Sequence, residues 1–317
     1  MSERRAFSNS ELRVWKRCQR KWWLSQYRQL RRKRDEATGP RELGTRIHTA
    51  LAAWYVPDGE PREDPMAALE RTIAEDLERV PEQAADIAEE ADLARAMVSG
   101  YVQWLEEEGA DAELQVIGSE QELLVEIGQP RPWGPQVALV AKLDVRVRRL
   151  TDGLLFYMDH KTVGSLTEPL KMLHLDEQML HYLLVERVGA AQTGSEERTA
   201  GGLYNMLRKV KRTARAKPPF YGREFVTHND HELRHFWTRV LGTIDEILDA
   251  EERLRDGADP HFVVPPNPTR DCTWDCDFFP VCPMFDDGSD AEQFLAIGYE
   301  EGDPYERYET TNQRSDV

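Results

Sequence analysis

Two aspartates and a lysine on neighbouring candidate strands are the residues best suited to chemistry. The stretch "AKLDVRV" puts Asp144 on one strand, and "YMDHKT", which follows a "TDG" turn, puts Asp159 and Lys161 on the next. Side chains alternate between the faces of a strand, so Asp159 and Lys161 point the same way and His160 points the opposite way. Two carboxylates beside an ammonium group are costly unless a divalent cation lies between the acids, and hard oxygen ligands suit Mg²⁺ or Mn²⁺.

A metal centre of this kind could activate a water molecule and stabilise negative charge on a phosphate. Lys161 would then orient the nucleophile or offset the developing charge. The alternative is an ordinary surface ion pair between Asp159 and Lys161, and a D-x-K pattern taken alone favours that alternative. The pattern therefore needs support from the rest of the chain.

The four cysteines are unevenly placed. Cys18 lies in "KRCQRKWW", and the other three, Cys272, Cys276 and Cys282, lie in "DCTWDCDFFPVC". The chain has no apolar run of 18 residues and no signal-peptide pattern after "MSERRAF", so we expect a cytoplasmic protein without a membrane span. In a reducing compartment, four cysteines suit a metal site better than disulfides.

The hydrophobic patterns predict the elements that must position these groups. "SNSE" (8–11) is a capping box that starts a helix, and "GTRIHTALAAWY" (44–55) predicts a second helix. An acidic stretch with helical spacing at about 60–112 predicts a helical insertion. Further strands and helices are expected at 113–127, 136–150, 153–162 and 200–207 (strands), and at 174–188 and 228–254 (helices).

Charge is segregated along the chain. The net charge is −17, yet residues 1–34 carry +10 and the block 207–217 adds six positive charges without an acid. The acids collect in 60–108, which is net −11, and in 286–317, which is net −8 and is expected to be a disordered tail. Solvated helix faces are the usual explanation of charge runs, but this segregation makes a basic groove on an acidic body about equally plausible.

Taken in order, these motifs resemble the RecB-like branch of the PD-(D/E)XK nucleases. The resemblance is to the iron–sulfur exonucleases related to AddB and to CRISPR-associated and phage-encoded members, and it spans Ser10 to Cys282. The motifs that carry it are "GTRIH" with Gly44 and His48, "SEQELLV" with Glu120, "AKLDV" with Asp144, "DHK" with Asp159 and Lys161, "QMLHY" with Gln178 and Tyr182, and the framing cysteines.

The resemblance implies an α/β, restriction-endonuclease-like core with a mixed central sheet flanked by helices. It implies one nuclease domain over 1–285, with cluster-binding segments around 10–30 and 268–285. It also implies that His48 and the His160 carbonyl join Asp144 and Asp159 as ligands of one or two Mg²⁺ or Mn²⁺ ions. Glu120 would help to hold the metal or its water, although Glu122 shares its strand face.

The resemblance further implies that Gln178 and Tyr182, at i and i+4 on one helix face, lie beside the catalytic residues. Without it, His48 reads as an ordinary helix histidine, and Tyr182 is as well explained by packing at the edge of the core.

For the cysteines, the resemblance implies that Cys18, Cys272, Cys276 and Cys282 bind one iron–sulfur cluster of the 4Fe–4S type. The cluster would fasten the N-terminal helix to the C-terminal segment. The spacing C-x3-C-x5-C and Gln19 depart from the family's usual pattern, and a zinc site built from the same thiolates or free thiols remain alternatives.

Basic residues interleaved with aromatic residues indicate where DNA would bind. Lysines and arginines contact phosphates, and exposed rings stack on unpaired bases. Core packing is the stronger explanation for each of Trp15, Trp22 and Trp23. The candidate DNA contacts are Arg17, Arg20 and Lys21 in the first basic block and Lys209, Lys211 and Arg212 in the second.

The expected function is a metal-dependent DNA exonuclease that acts on linear single- or double-stranded DNA with ends, in recombination, repair or replication. The setting would be the cytoplasm of a bacterium, or of a host cell for a phage-encoded protein. A catalytically silent DNA-binding or assembly subunit of the same fold is an alternative, and a CRISPR-adaptation nuclease that trims DNA is another. Partners could include further copies of the chain or recombination or CRISPR proteins.

Overall fold

A computed structural model describes residues 4–33, 37–131 and 134–308. Short non-α turns lie at Trp23–Tyr27, Pro81–Gln83 and Leu173–Leu175. In chain order, the strands and helices are β1 (Arg4–Ser8), α1 (Asn9–Arg17), α2 (Gln19–Trp22), β2 (Leu30–Arg32), α3 (Pro40–Trp54), α4 (Pro65–Arg79), α5 (Ala84–Glu108), β3 (Leu114–Gly128), β4 (Gln136–Arg149), β5 (Leu155–Val163), α6 (Thr167–Leu170), α7 (Glu177–Thr193), β6 (Thr199–Arg208), β7 (Tyr221–Thr227), α8 (Asp230–Arg255), α9 (Pro260–Val263), α10 (Cys272–Asp275), α11 (Met284–Asp287), α12 (Ala291–Gly298) and β8 (Tyr299–Glu301).

The chain divides into two compact units, whereas the sequence predicts one domain over 1–285. Unit 1 comprises 1–34, 124–141 and 231–317, and unit 2 comprises 35–123 and 142–230. The division follows from long-range pairing: β1 lies parallel to the first half of β4, from Arg4 opposite Gln136 to Ser8 opposite Val140. A hydrogen bond from Arg5 to Glu251 at 3.0 Å joins this N-terminal strand to a C-terminal helix of the same unit.

Unit 2 is built on a mixed sheet. The second half of β4 runs antiparallel to β5, β5 runs parallel to β6, and β6 runs antiparallel to β7. Parallel neighbours need a crossover connection, which α6 and α7 supply between β5 and β6. The expected α/β fold with a mixed central sheet flanked by helices is therefore found.

The two faces of this sheet carry different residues because strand side chains alternate. Phe156 and Met158 of β5 are buried in the main apolar cluster, together with residues of α3, α4 and α5. Tyr157 faces the other way and meets Tyr182 of α7 edge-on, with ring centroids 6.2 Å apart. Helices α4 and α5 fall within the acidic stretch at about 60–112 for which we expected helices.

Local sequence signals set the helix boundaries. Asp64 accepts a hydrogen bond from Met66 N at the start of α4, and Asp176 accepts one from Gln178 N at the start of α7. Helix α5 ends at Gly109, whose φ of 61° lies in the left-handed region that glycine adopts without strain. The start of α7 therefore places Gln178 in its first turn.

Unit 1 gathers both ends of the chain. Strands β2 and β8 pair antiparallel, and Trp15 of α1 donates a hydrogen bond to Glu246 of α8 at 2.9 Å. Trp15 and Trp22 are buried, as expected for core tryptophans. Among the described residues, no helix combines the length and apolar character required to cross a membrane.

The expected disorder from residue 286 onward is corrected for residues 286–308, which fold onto the N-terminal segment. Leu295 and Tyr299 are buried in an apolar cluster with Leu24 and Phe278. Several acids of this segment form surface ion pairs with N-terminal bases, as between Arg28 and Glu292 at 2.7 Å, where the Glu292 side chain stays 64% exposed. Residues 309–317, the rest of the expected tail, lie outside the described residues.

Candidate active site

The candidate site is centred on strand β5, where Asp159 and Lys161 share a face. Lys161 Nζ lies 2.7 Å from Asp159 Oδ2, and the Asp159 side chain is only 5% exposed. His160, between them, points to the opposite face and is buried. The alternation of side chains expected from the sequence therefore places Asp159 and Lys161 side by side.

Asp144 on β4 joins the site through the backbone of β5. The backbone N–H of His160 donates to Asp144 Oδ2 at 2.9 Å. His48 of α3 adds a side chain from outside the sheet, with Nδ1 3.4 Å from the same oxygen. Two strands and one helix thus bring three predicted ligands to one place.

Helix α7 supplies a bridging amide. Gln178 Oε1 accepts a hydrogen bond from Lys161 Nζ at 2.8 Å, and Gln178 Nε2 donates to Asp159 Oδ1 at 3.2 Å. The same Nε2 donates to the hydroxyl of Tyr182 at 2.6 Å. Gln178 therefore contacts both members of the ion pair and fixes their orientation, and Tyr182 holds the amide in turn.

The two carboxylates differ in acidity. Burial raises the pKa of Asp159 to about 6, and the charge of Asp144 adds to this effect while Lys161 opposes it. Burial would also raise the pKa of Asp144, but the hydrogen bond and charge of His48 hold it well below its usual value. Asp144 is thus ionised at neutral pH, and Asp159 is the group that titrates.

The basic groups respond to the same charges. Burial would lower the pKa of Lys161, but the charge of Asp159 raises it overall, so the ammonium stays protonated. The pKa of His48 is likewise raised by Asp144 against the effect of burial. Burial lowers the pKa of His160 to about 3, so this ring is neutral.

Glu120 lies on β3 in an unusual backbone conformation. Its φ of 46° is in the left-handed region, which is uncommon for a residue other than glycine and is often found at functional sites. Its carboxylate lies 3.4 Å from Lys142 Nζ, and burial together with the charge of Asp144 raises its pKa. This places Glu120 within electrostatic reach of Asp144.

Sequence reasoning missed Lys142 and Asn205. Lys142 precedes Asp144 by two residues on β4, so strand alternation alone could have placed it on the same face. Asn205 is fully buried on β6 with its amide 2.9 Å from His160 Nδ1. A single polar residue in the apolar run "GGLYNML" was the signal that could have identified it.

The donor set fits a hard divalent cation. Asp159 Oδ2 is buried and, despite the nearby Lys161, accepts no hydrogen bond of normal geometry. Within the described parts of the chain, no group of three or more His, Cys, Asp or Glu side chains is arranged as a ready-made metal site. The carboxylates of Asp144 and Asp159 are the oxygen donors that Mg²⁺ and Mn²⁺ prefer.

All four cysteines line one cavity in unit 1. The cavity measures about 280 Å³, and Cys18, Cys272, Cys276 and Cys282 contribute to its wall as free thiols. Backbone N–H groups point at the sulfurs: Asn267 N lies 3.4 Å from Cys18 Sγ, and Thr269 N lies 3.3 Å from Cys272 Sγ. Burial raises the pKa of Cys276 and of Cys282. The chain thus brings together thiols that are far apart in the sequence.

One candidate DNA contact in the first basic block is corrected. Arg20 is only 3% exposed, and its guanidinium donates two hydrogen bonds to Asp286, at 2.7 and 3.0 Å. It also donates to the carbonyl of Cys282 at 3.2 Å. Arg20 therefore packs beside the cysteine cavity and is not available to a phosphate. Arg17 pairs with Asp275, and Lys21 donates to the carbonyl of Asp275 at 2.9 Å, but both remain partly accessible.

The second basic block differs in accessibility. Lys211 is exposed and Lys209 is half-buried. Arg212 donates to the carbonyl of Gly100 at 2.8 Å and to Gln103 at 3.0 Å, which holds it against α5. Arg212 is exposed like Lys211, but its hydrogen bonds to α5 engage its guanidinium, so Lys211 is the stronger candidate for a phosphate contact.

Comparison with known proteins finds a family model that matches most of the chain. The family model described as the PD-(D/E)XK nuclease superfamily matches residues 6–283. No curated protein matches the chain. The matched range includes all the residues of the candidate site and all four cysteines.

Proposed function

The chain belongs to the PD-(D/E)XK nuclease superfamily, and on this basis we propose that it is a Mg²⁺- or Mn²⁺-dependent deoxyribonuclease that degrades DNA from its ends. Membership of this superfamily implies a nuclease that acts on DNA. The assignment to the RecB-like iron–sulfur branch and the exonuclease activity are the proposed parts.

The observation that carries the proposal is the Gln178 bridge between Asp159 and Lys161. An isolated surface ion pair would not need a helix to hold both of its members, yet Gln178 contacts Lys161 Nζ at 2.8 Å and Asp159 Oδ1 at 3.2 Å. Asp144 is held at the same site by the His160 N–H. Such preorganisation is what electrostatic catalysis requires.

Asp144, Asp159, His48 and the His160 carbonyl would hold the cation. When bound, a divalent cation supplies Lewis-acid activation of the scissile phosphate and of the attacking water. Lys161 remains protonated and donates hydrogen bonds, so it offsets negative charge that develops on the phosphate. Gln178 keeps the ammonium beside Asp159, and Tyr182 keeps Gln178 in place.

The direct test is degradation of end-labelled linear DNA in the presence of Mg²⁺ or Mn²⁺. We expect the wild type to shorten the DNA from an end and Asp159→Ala and Lys161→Ala each to lose at least a hundredfold in rate. Lys171→Ala is the matched control, because Lys171 is an exposed lysine paired only on the surface with Glu168. It should keep the wild-type rate.

Two results would overturn parts of this proposal. Cleavage of covalently closed circular DNA at the same rate as linear DNA would show that the protein is an endonuclease and not an exonuclease. A folded wild type that binds DNA but cleaves neither form would favour the catalytically silent binding subunit.

We also propose that the cysteine cavity binds an iron–sulfur cluster of the 4Fe–4S type. Four thiols around one cavity, with N–H donors aimed at two of the sulfurs, support a cluster because thiolates ligate the irons and N–H groups stabilise charge on sulfur. Zinc would use the same four thiolates.

Metal analysis of protein purified without oxygen separates these cases. Iron and acid-labile sulfide in equal amounts, with a brown colour lost in Cys18→Ala, is the expected result. Zinc without sulfide would establish the zinc site instead, and the absence of both metals would show free thiols.

A further inference from the structure

A buried polar network lies behind the candidate site, on the face of β5 opposite Asp159 and Lys161. At its centre is the His160 ring, which is 2% exposed. Tyr55 stacks on this ring with centroids 5.3 Å apart, and His48 meets it edge-on at 5.8 Å. Since His48 lies on α3 and Tyr55 follows its last residue, the ring connects β5 to the helix that carries a predicted metal ligand.

Asn205 determines which nitrogen of His160 carries the proton. It lies directly opposite His160 in the register of β5 and β6, with its Nδ2 2.9 Å from His160 Nδ1. Its Oδ1 accepts hydrogen bonds from the Tyr101 hydroxyl at 3.0 Å and from Arg223 Nε at 3.1 Å. With two donors on the oxygen, the amide N–H must face the ring, so Nδ1 accepts and the proton is on Nε2.

Arg223 closes the network from β7. It lies opposite Asn205 in the register of β6 and β7, and its side chain is only 10% exposed. Its Nη2 donates to the hydroxyls of Tyr55 at 2.6 Å and Tyr101 at 2.8 Å and to Asp111 Oδ1 at 2.7 Å. The guanidinium therefore fixes both the Asn205 amide and the ring that stacks on His160.

We propose that Asn205 and Arg223 are positioning residues for the candidate active site. They hold the His160 ring in one tautomer and orientation. The backbone of His160 in turn holds Asp144 through its N–H and keeps Asp159 and Lys161 in register. The proposal rests on the proposed nuclease function for the meaning of the site, and of the side chains around the His160 ring only His48 is itself a predicted metal ligand.

Energetics favour this role over simple packing. Buried polar networks are costly, and here His160 Nε2 is buried without a hydrogen-bond partner among the described residues, whereas apolar side chains could fill the same space. The network is placed where it acts on the strand that carries the candidate catalytic residues. Partners that orient metal ligands from behind typically change metal affinity or activity by about 10- to 100-fold when removed.

The test variant is Asn205→Asp. It keeps the shape and the acceptor for Tyr101 and Arg223, but an ionised carboxylate cannot donate to His160 Nδ1. We expect Mn²⁺ affinity, measured without DNA by the electron paramagnetic resonance of free Mn²⁺, to fall about tenfold. The turnover number for DNA cleavage should fall while KM for DNA stays unchanged, because no DNA contact is removed.

The matched control is Thr199→Val on the same strand. Thr199 is fully buried and donates hydrogen bonds to Glu186 at 2.6 and 2.9 Å. It lies opposite Leu155 in the register of β5 and β6, and its hydroxyl bonds Glu186 at a distance from the His160 ring along the strand. Thr199→Val should lower the melting temperature as Asn205→Asp does but leave Mn²⁺ affinity unchanged. Equal loss of Mn²⁺ affinity in both variants, or none in Asn205→Asp, would overturn the proposal.

A measurement on the wild type keeps the proposal testable if Asn205→Asp fails to fold. Correlation spectra of ¹⁵N-labelled histidine rings, assigned with His160→Gln, should show the His160 proton on Nε2. A proton on Nδ1 would overturn the positioning role. Wild-type protein that neither binds Mn²⁺ nor cleaves DNA would instead overturn the proposed nuclease function. The ring spectrum would still show whether Asn205 sets the tautomer of His160.

Discussion

Asp159 is the residue whose charge most depends on its surroundings. Burial and the neighbouring charge of Asp144 raise its pKa to about 6, whereas His48 holds the pKa of Asp144 below its usual range. A cation needs the ionised form of Asp159, so protons and metal compete for this carboxylate. The charge state of the site is therefore set within the range of cellular pH.

This competition gives a pH prediction. Mn²⁺ affinity should fall below about pH 6 as a proton occupies the Asp159 carboxylate, and protonation of His48, whose pKa is raised by Asp144, should already weaken binding at somewhat higher pH. Titrations with Mn²⁺ between pH 5 and pH 8 measure this dependence, because the range extends about one unit below and about two units above the pKa of Asp159. Asp159→Asn should bind weakly at every pH, and a wild-type affinity that stays constant down to pH 5 would contradict the prediction.

Two cations of the basic blocks have different roles. Lys211→Ala should weaken DNA binding and lower the slope of log affinity against log salt by about one, because an exposed lysine releases about one counterion per phosphate contact. Fluorescence anisotropy at several salt concentrations measures this effect.

Arg20→Gln should instead lower the free energy of unfolding by about 2 kcal/mol, since it removes a charged pair of hydrogen bonds to Asp286. Urea denaturation measures this loss. A reduced salt slope in folded Arg20→Gln would restore Arg20 as a DNA contact.

At the scale of elements, α3 is held by a buried arginine. Arg46 is fully buried, and its guanidinium contacts Asp76 of α4 at 2.7 Å, Glu90 of α5 at 2.6 Å and the carbonyl of Ala37 at 2.6 Å. Because Arg46 lies two positions before His48, these pairs also fix the helix that presents His48 to Asp144. A helix without this anchor would not hold its ligand in place.

Arg46→Met should therefore destabilise unit 2 strongly. Removing the cation leaves Asp76 and Glu90 without their buried partner, and breaking such a pair costs about 3 kcal/mol or more. Urea denaturation should show the loss. Arg95→Met is the matched control, because Arg95 pairs with Glu70 on the surface at 38% exposure, where the expected loss is about 0.5 kcal/mol. Similar losses in both variants would contradict a special role for the buried arginine.

At the scale of the whole molecule, charge segregation along the sequence becomes charge pairing in space. The net charge is −17, yet the basic N-terminal segment and the acidic C-terminal segment meet within unit 1. Arg28 pairs with Glu292, and Arg31 pairs with Glu300 and Glu306. Much of the +10 charge of residues 1–34 is therefore neutralised locally. The first basic block should accordingly attract DNA less strongly than its sequence suggests.

The two chain ends also share a buried hydrogen-bond network. Glu11 is fully buried, and it accepts hydrogen bonds from Arg5, Trp22 Nε1 and the Tyr305 hydroxyl. The Tyr305 hydroxyl in turn accepts from Ser8 N at 3.0 Å. The C-terminal segment thus satisfies polar groups at the start of α1, the helix that leads to Cys18.

Tyr305→Phe should lower the free energy of unfolding by about 1–3 kcal/mol, because it leaves the Ser8 N–H without its acceptor and removes one of the hydrogen bonds that Glu11 accepts. Thermal and urea denaturation measure the change. Tyr27→Phe, at an exposed tyrosine of the same unit, should change stability by less than about 0.5 kcal/mol. If the two variants are equally stable, the C-terminal segment does not contribute through this network.

Local rules were enough for the central part of the site. Strand alternation placed Asp159 and Lys161 on one face and His160 on the other, and helical spacing placed Gln178 with Tyr182. These relations depend only on the geometry of one strand or one helix. The same reasoning found most elements, the order of the motifs pointed to the superfamily, and that resemblance implied the mixed α/β fold.

Tertiary structure decided which side chains were available and what held them. Arg20 and Lys21 look alike in the sequence, but only Arg20 is buried against Asp286, which lies 266 residues away. Asn205 meets His160, and Arg223 meets Asn205, only because three strands lie side by side. The C-terminal segment is ordered because distant apolar residues cover it. Burial, ion pairing and strand register are long-range properties, and no local pattern contains them.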